Sequence, residues 1–332
     1  MTERRLFSDS CHAMGTRVEI HLYATDANRA ALYFEMAFDE IRRVERTLSL
    51  YQNQSELVRI NRIAAREAVT TDPEVFRFLQ TGFEYSRRSG GAFDMTVGPL
   101  LRLWGFSNRT MRVPSDDELR QALATVGWEK VALDPASRTV QFREPGVELD
   151  PGAIGKGYAV DCVASLLREE GVNAALIDAG SSSVYGLGAP PDKSGWLVRV
   201  PLPGNPSQWL STVSLRNNSL STSGSYEKFF RWRGHNYCHI LDPRIGSPVN
   251  GVLQTTVISE HAADSEALST IAFVSGFQTS TALLQEMKGI SALWALGEPR
   301  TVDQIQSWNW PATVAIEDLR YKSSVRVESL ET

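Results

Sequence analysis

Cysteine is scarce in this chain. The three in 332 residues, Cys11, Cys162 and Cys238, are far apart and odd in number. That excludes a disulfide framework and any CxxC zinc or redox motif. Histidine is nearly as sparse, with five residues. His235, Cys238 and His239 stand close together, but no second ligand pair follows at a zinc spacing. No stretch approaches eighteen consecutive apolar residues, which argues against a transmembrane helix and membrane insertion. The opening Met1-Thr2-Glu3-Arg4-Arg5-Leu6-Phe7-Ser8-Asp9 lacks the apolar run of a signal peptide, so the chain reads as cytoplasmic. The alternative is an exported protein whose leader is absent from the chain. An excess of positive charge is missing too: 34 Lys and Arg against 39 Asp and Glu leave −5. A nucleic-acid partner would need a basic face to displace counterions, and none is implied. With 42% apolar and 22% charged residues the composition is that of an ordinary globular chain. At roughly 150 residues per domain the length suits about two domains or one large one.

Hydrophobic periodicity organises the chain. Val18, Ile20 and Leu22 alternate with Arg17, Glu19 and His21, which predicts a half-buried strand over 16–23. Phe34, Ala37, Ile41, Val44 and Leu48 follow at helical spacing. Asp72-Pro73 opens a second helix that stops at Gly90-Gly91, and Ser115 to Glu118 is a capping box. Short strands are expected at 130–133 and 139–142, and a helix runs from Gly157 to Glu170, where Gly171 ends it. Further strands fall at 174–177, 196–200 and 212–215. Residues 229–232 and 237–241 read as a hairpin around Arg233-Gly234-His235-Asn236. Another strand at 254–259, a helix over 262–274, a second helix and a strand at 292–296 complete the pattern. Strands and helices mix without a βαβ rhythm, so the fold class is α+β. The tail after Gly297 is weakly patterned and reads as an extension.

Four stretches carry more small, turn-forming and isolated polar residues than a core requires. They are Ser89 to Leu100, Asp150 to Asp161, Thr222 to Tyr226 with His239 to Gly246, and Glu266 to Thr270. In the second, Gly152, Gly155 and Gly157 precede a helix, where backbone amides can approach an anion and Lys156 adds positive charge. It is not a Walker A loop, since Gly157 stands where Ser or Thr must reach magnesium, and it lacks the GxGxxG fingerprint. A purely structural glycine-rich helix start is the alternative. Glu266 and Thr270, at i and i+4, would share a helix face and offer two hard ligands to Mg²⁺. The alternative is a surface glutamate and a threonine bonded back to its own helix. His239, just before the turn Asp242-Pro243-Arg244-Ile245-Gly246, suits a general base or a satisfied polar residue. Ser223, His239 and Asp242 lack the GxSxG elbow of a hydrolase.

Together these segments resemble the ApbE family, the FAD:protein FMN transferases, from about His12 to Gly297. The resemblance rests on Met14-Gly15-Thr16, Leu48-Ser49-Leu50-Tyr51 with Ser55-Glu56-Leu57 and Asn61, and Gly90-Gly91-Ala92-Phe93-Asp94 with Thr96 to Leu100. It continues through Leu103 to Phe106, Lys156 to Asp161, Thr222-Ser223-Gly224 and His239 to Pro243. It implies one large α+β, T-fold-like domain over 12–297, with a mainly antiparallel sheet, flanking helices and a C-terminal extension over 298–332. It further implies a Mg²⁺-dependent enzyme that cleaves FAD, joins FMN by a phosphoester to a Thr or Ser of a target protein, and releases AMP. Met14, Tyr51, Ala92, Phe93, Asp94, Asp161, Ser223, Gly224 and His239 would then contact the cofactor. Mg²⁺ would take the Gly155 carbonyl, Glu266 and Thr270. Lys156 would hold the diphosphate, and His239 would accept the incoming hydroxyl proton.

Three positions depart from the family pattern. Glu266 stands where the family has Asp, moving the charge by about 1.5 Å, one C–C bond. Ser181-Ser182-Ser183 replaces Gly-Gly-Asp, and Ile245 replaces a threonine. Two other readings are therefore an FAD pyrophosphatase, with water in place of the acceptor, and an FAD-binding protein with weakened or absent transfer.

Overall fold

The computed structural model describes residues 4–298, 301–312 and 326–330. A two-residue turn at Met14 and Gly15, with φ of 54° and 71°, folds β1 (Arg5–Ala13) back on β2 (Thr16–Ala24). Positive φ at both turn residues matches the twist of a tight hairpin. Val18, Ile20 and Leu22 are fully buried, as their alternation requires. β1 lies outside the expected strands and begins before residue 12, because an exposed edge strand carries no apolar alternation to reveal it.

Next come α1 (Ala27–Leu48), α2 (Glu56–Ile63), β3 (Val69–Thr70) and α3 (Pro73–Arg88). Asp26, Ser55 and Asp72 each cap a helix by accepting a backbone amide. α4 (Gly98–Leu103) and α5 (Asp116–Leu123) follow, the latter with the expected capping box closed in both directions. β4 (Val131–Asp134) and β5 (Thr139–Phe142) form a small sheet with β3. α6 (Gly155–Glu169), β6 (Ala174–Ala179) and β7 (Ser183–Gly188) lead to the hairpin β8 (Trp196–Leu202) and β9 (Asn205–Leu215).

Then come β10 (Asn218–Gly224), β11 (Phe229–Trp232), β12 (His235–Cys238), β13 (Leu241–Asp242), β14 (Ser247–Pro248) and β15 (Val252–Ser259). The chain continues through α7 (Ala262–Gln285), β16 (Ser291–Glu298), β17 (Thr301–Trp308) and β18 (Arg326–Leu330). The hairpin at 229–238 is tighter than its sequence suggests. Arg233 and Gly234, at φ 49° and 83°, make a two-residue turn, and residues 239–240 leave the strand.

Among the described residues the main sheet has nine strands in the order β1-β2-β6-β7-β10-β15-β16-β17-β18, antiparallel except at β17–β18. This agrees with the α+β expectation. The tail is a different matter. Residues 301–308, expected to lie in an extension, form β17, whose Val302, Ile305 and Trp308 are buried. Their spacing of three carries no period-two alternation to mark a strand, and the register shifts at Leu296/Gly297. Residues 326–330 of the same expected extension form β18, while residues 299–300, 313–325 and 331–332 lie outside the described residues.

One core forms where α1 and α6 cover β2, β6 and β7; a second gathers α2, α3, α7 and the small sheet around Trp294. The opposite face of the main sheet is closed by the β8–β9 hairpin through Val200, Leu210, Val213 and Leu215. α7 is long and apolar enough to cross a membrane by composition, yet Leu268, Ile271, Ala272 and Phe273 are buried in the second core. Gly276 (φ 70°, ψ 176°) breaks it, which accounts for the two helices read from the sequence.

A candidate active site between two helices and the sheet

α6 and α7 cross at their N-terminal ends, and Gly157 makes the crossing possible. A Cβ there would stand 2.2 Å from the Ala262 carbonyl oxygen, so only glycine lets the backbones touch. Each helix then lends the other a carboxylate. Asp161 of α6 accepts from the amides of Ala262 and Ala263 at 2.7 and 2.9 Å. Glu266 of α7 accepts from the Gly157 amide and from Lys156 Nζ, each at 2.6 Å. An anion at a helix start satisfies unpaired amides and the positive end of the dipole.

Beside this crossing opens a cavity of about 300 Å³. Lys156, Glu266 and Thr270 form its helical wall, and Ser223 and Gly224 at the end of β10 form the sheet wall. Ala92, Phe93 and Asp94, in the loop between α3 and α4, close one end, while Tyr51 stands at the rim, 83% exposed. His239 lines it as well. Ten expected site residues from six separate segments thus meet at one cavity.

Met14, Gly155 and Asp161 do not line it. Met14 lies beside the start of α6, where its Cε sits 3.8 Å from the place a Gly155 Cβ would occupy. Gly155 itself is buried inside the first turn of α6, and the cavity instead meets Gly152 and Ala153 one turn earlier. Asp161 has both oxygens committed to capping α7. Spacing within the motif could not separate these positions, because helix phase decides which of Lys156, Gly157 and Asp161 faces the opening.

Asp150, Ser182, Glu227 and Lys228 also line the cavity and were not singled out as site residues. Asp150 was legible as part of the Asp-Pro-Gly turn, in which its Oδ1 accepts the Gly152 amide at 2.8 Å. Burial holds its carboxyl above the ordinary range. Ser182 stands in the triple serine where the family pattern has an acidic residue nearby.

The charges are tuned by their surroundings. Burial opposes the positive charge of Lys156, but the adjoining Glu266 carboxylate outweighs it and raises the lysine's pKa. Burial raises Glu227, with Lys156 and Lys228 pulling the other way. Asp94, 6% exposed, is raised by burial although it accepts from the Thr96 amide and hydroxyl and the Trp128 amide. Burial, aided by the Lys228 charge, lowers His239 to about 4. Its Nδ1 lies 3.1 Å from the Lys228 carbonyl. A carbonyl only accepts, so Nδ1 carries the hydrogen and Nε2 keeps a free lone pair.

Glu266 is 5% exposed, which excludes a surface glutamate. Thr270 does bond back to its helix, donating to the Glu266 carbonyl at 3.2 Å, while also lining the cavity. Among the described residues no group of three or more His, Cys, Asp or Glu could hold a metal ion. One carboxylate and one hydroxyl nevertheless fit Mg²⁺, a hard cation that keeps waters and takes phosphate oxygens rather than an all-protein cage. A cation bound there would compete with the Lys156 ammonium for Glu266.

An ammonium, a carboxylate–hydroxyl pair and a neutral imidazole thus share one cavity on an α+β scaffold, groups suited to phosphoryl chemistry. The chain belongs to the ApbE family, whose profile matches residues 14–294. It is 33% identical over 296 residues to the FAD:protein FMN transferase of Klebsiella pneumoniae (strain 342), covering 89% of this chain and 90% of that one. The corresponding protein of Treponema pallidum (strain Nichols) is 31% identical over 89% of this chain and 86% of its own. The crystal structure of the Thermotoga maritima ApbE protein superimposes with a TM-score of 0.81 at 31% identity, over 88% of this chain and 94% of that one. The flavinyl transferase ApbE of Pseudomonas stutzeri gives 0.79 at 28% identity, over 89% and 92%.

Proposed function

We propose that this chain is an FAD:protein FMN transferase that uses Mg²⁺ and joins FMN by a phosphoester to a Thr or Ser of a target protein. The supporting observation is the convergence of Lys156, Glu266, Thr270 and His239 on one cavity in a chain of this family. FAD lies with its diphosphate beside the Gly152–Ala153 turn and against Lys156, whose fixed positive charge meets its oxygens. Tyr51, Ala92, Phe93 and Gly224 bound the space left for the rings. Glu266 and Thr270 would hold Mg²⁺, which when bound neutralises charge on the phosphoryl oxygens. The acceptor hydroxyl attacks the phosphorus of the FMN half, its proton passes to Nε2 of His239, and the bond to the AMP phosphate breaks as AMP leaves. The half-buried ring, lowered to about 4, is neutral at pH 7, so the lone pair is available.

The test is chromatography of the nucleotides after incubation with FAD, Mg²⁺ and an acceptor peptide of the Asp-Gly-Ala-Thr-Gly type, with mass spectrometry of the peptide. FMN on the peptide and free AMP are expected. FMN and AMP without peptide would mark a pyrophosphatase. Intact FAD bound to yellow protein would mark a carrier.

A further inference from the structure

The hairpin of β11 and β12 stands on the cavity rim and differs from the rest of the surface. Residues 228–235 read Lys-Phe-Phe-Arg-Trp-Arg-Gly-His, with three aromatics, three permanent cations and no acid, in a chain of net charge −5. Its inner side is anchored: Phe230 stacks on Tyr237 at 5.2 Å, Tyr237 meets Trp104 at 5.5 Å, and Phe106 meets Phe230 at 5.8 Å. Phe229 and Trp232 remain 48% and 42% exposed. The tight turn holds the Arg233 guanidinium 4.3 Å over the Trp232 ring. Several arginines elsewhere are paired with a carboxylate, as with Arg43 and Glu74, Arg112 and Glu118, or Arg244 and Asp242. Among the described residues neither Arg231 nor Arg233 pairs with a carboxylate. Both legs of the hairpin run directly into the cavity wall, at Lys228 and His239.

We propose that this hairpin docks the acceptor protein, gripping an acidic, leucine-flanked extended segment whose Thr or Ser then reaches His239. The proposal rests on the transferase reading. A cavity of about 300 Å³ is smaller than FAD itself and admits at most the acceptor's hydroxyl side chain, so binding energy for the acceptor has to be gathered on the rim. A rigid aromatic pair supplies contact area at low entropy cost, and unpaired guanidiniums supply charge complementarity to an acidic segment. Arginine over tryptophan keeps its planar donors directed outward for carboxylates. A second copy of this chain, itself acidic overall, is the competing occupant.

The experiment uses the full chain and a fluorescein-labelled peptide, Glu-Leu-Asp-Gly-Ala-Thr-Gly-Leu-Glu, followed by fluorescence polarisation. Arg231→Glu with Arg233→Glu is expected to weaken binding by about tenfold or more, and Trp232→Ala by about fivefold. Arg231→Lys with Arg233→Lys should stay within about threefold, because charge is kept. Raising salt from about 50 to about 300 mM should weaken the wild type and leave the charge-reversed protein nearly unaffected. FAD affinity, read by flavin fluorescence, should change by less than about twofold in every variant, which also reports that each is folded.

No polarisation change with wild type, or equal binding by the charge-reversed protein, overturns the proposal. So does a wild-type dimer in sedimentation that the same substitutions dissociate. If the peptide binds as expected but never acquires FMN while FAD is bound, the transferase reading fails and the docking surface stands.

Discussion

The starts of α6 and α7 each receive a carboxylate from the other helix, and the two carboxylates do different work. Asp161 gives both oxygens to amides of α7 and so braces the crossing. Glu266 gives one oxygen to an amide of α6 and the other to Lys156, whose ammonium lines the cavity. The same chemical device is structural on one side and open to substrate on the other. What separates them is the second oxygen, and that depends on helix phase rather than on residue type.

The largest expected effect breaks the cavity side of this pair. Lys156→Met removes the charge facing the diphosphate and should lower the rate of AMP release by about 10²–10³-fold, the scale for losing one preorganised electrostatic group. It also strands Glu266. The matched Lys156→Met, Glu266→Gln double variant should recover thermal stability without recovering rate, as measured by calorimetry and nucleotide chromatography.

Asp161→Asn tests the structural side. Loss of a charged, doubly bonded helix cap should cost about 1–3 kcal/mol in chemical denaturation, while FAD affinity stays within about threefold. A large loss of FAD affinity at unchanged stability would show that Asp161 belongs to the site after all.

The pH dependence sharpens the contrast further. His239 is held near 4 in the fold against an ordinary value of 6.5, so the folded state disfavours its protonated form. Stability should therefore be intact above pH 6.5 and fall progressively as pH drops toward 4, through this group. Asp161 is raised to about 6 by burial, with the opposite sign: its contribution is full below the ordinary carboxylate pKa and is lost as pH rises through 6. Denaturation midpoints of His239→Gln and Asp161→Asn across pH 4 to 7 should lose these opposing slopes separately.

The smallest effect is expected at Ser223→Ala. Its hydroxyl bonds Ser269 at 2.9 Å, so the variant removes one neutral hydrogen bond worth about 1 kcal/mol and should lower FAD affinity by no more than about fivefold.

Much of this arrangement was readable from the chain. Val18, Ile20 and Leu22 announced their strand by alternation, and Asp72-Pro73 and the Ser115 capping box announced their helices, because these signals are local. The cavity segments were readable as motifs because turn and glycine chemistry is also local. Met14, Gly155 and Asp161 stand in the same motifs as the lining residues but outside the cavity lining, a distinction set by tertiary packing rather than by motif spacing. Asp150, Glu227 and Lys228 face the opening only through tertiary packing. The edge strand β1 and the late strand β17 lack strong alternation, and their place is set by the partner strands they pair with.

The glycine at 157 gives the crossing a further consequence. With no room for even a methyl group between α6 and the Ala262 carbonyl, the wall that faces substrate and the brace behind it cannot drift apart. A substitution that tilts either helix is passed to both carboxylates at once. Retuning this enzyme through Glu266 therefore calls for concerted change on two helices, and single-site libraries around the cavity should meet most of their failures as misfolded protein rather than as altered specificity.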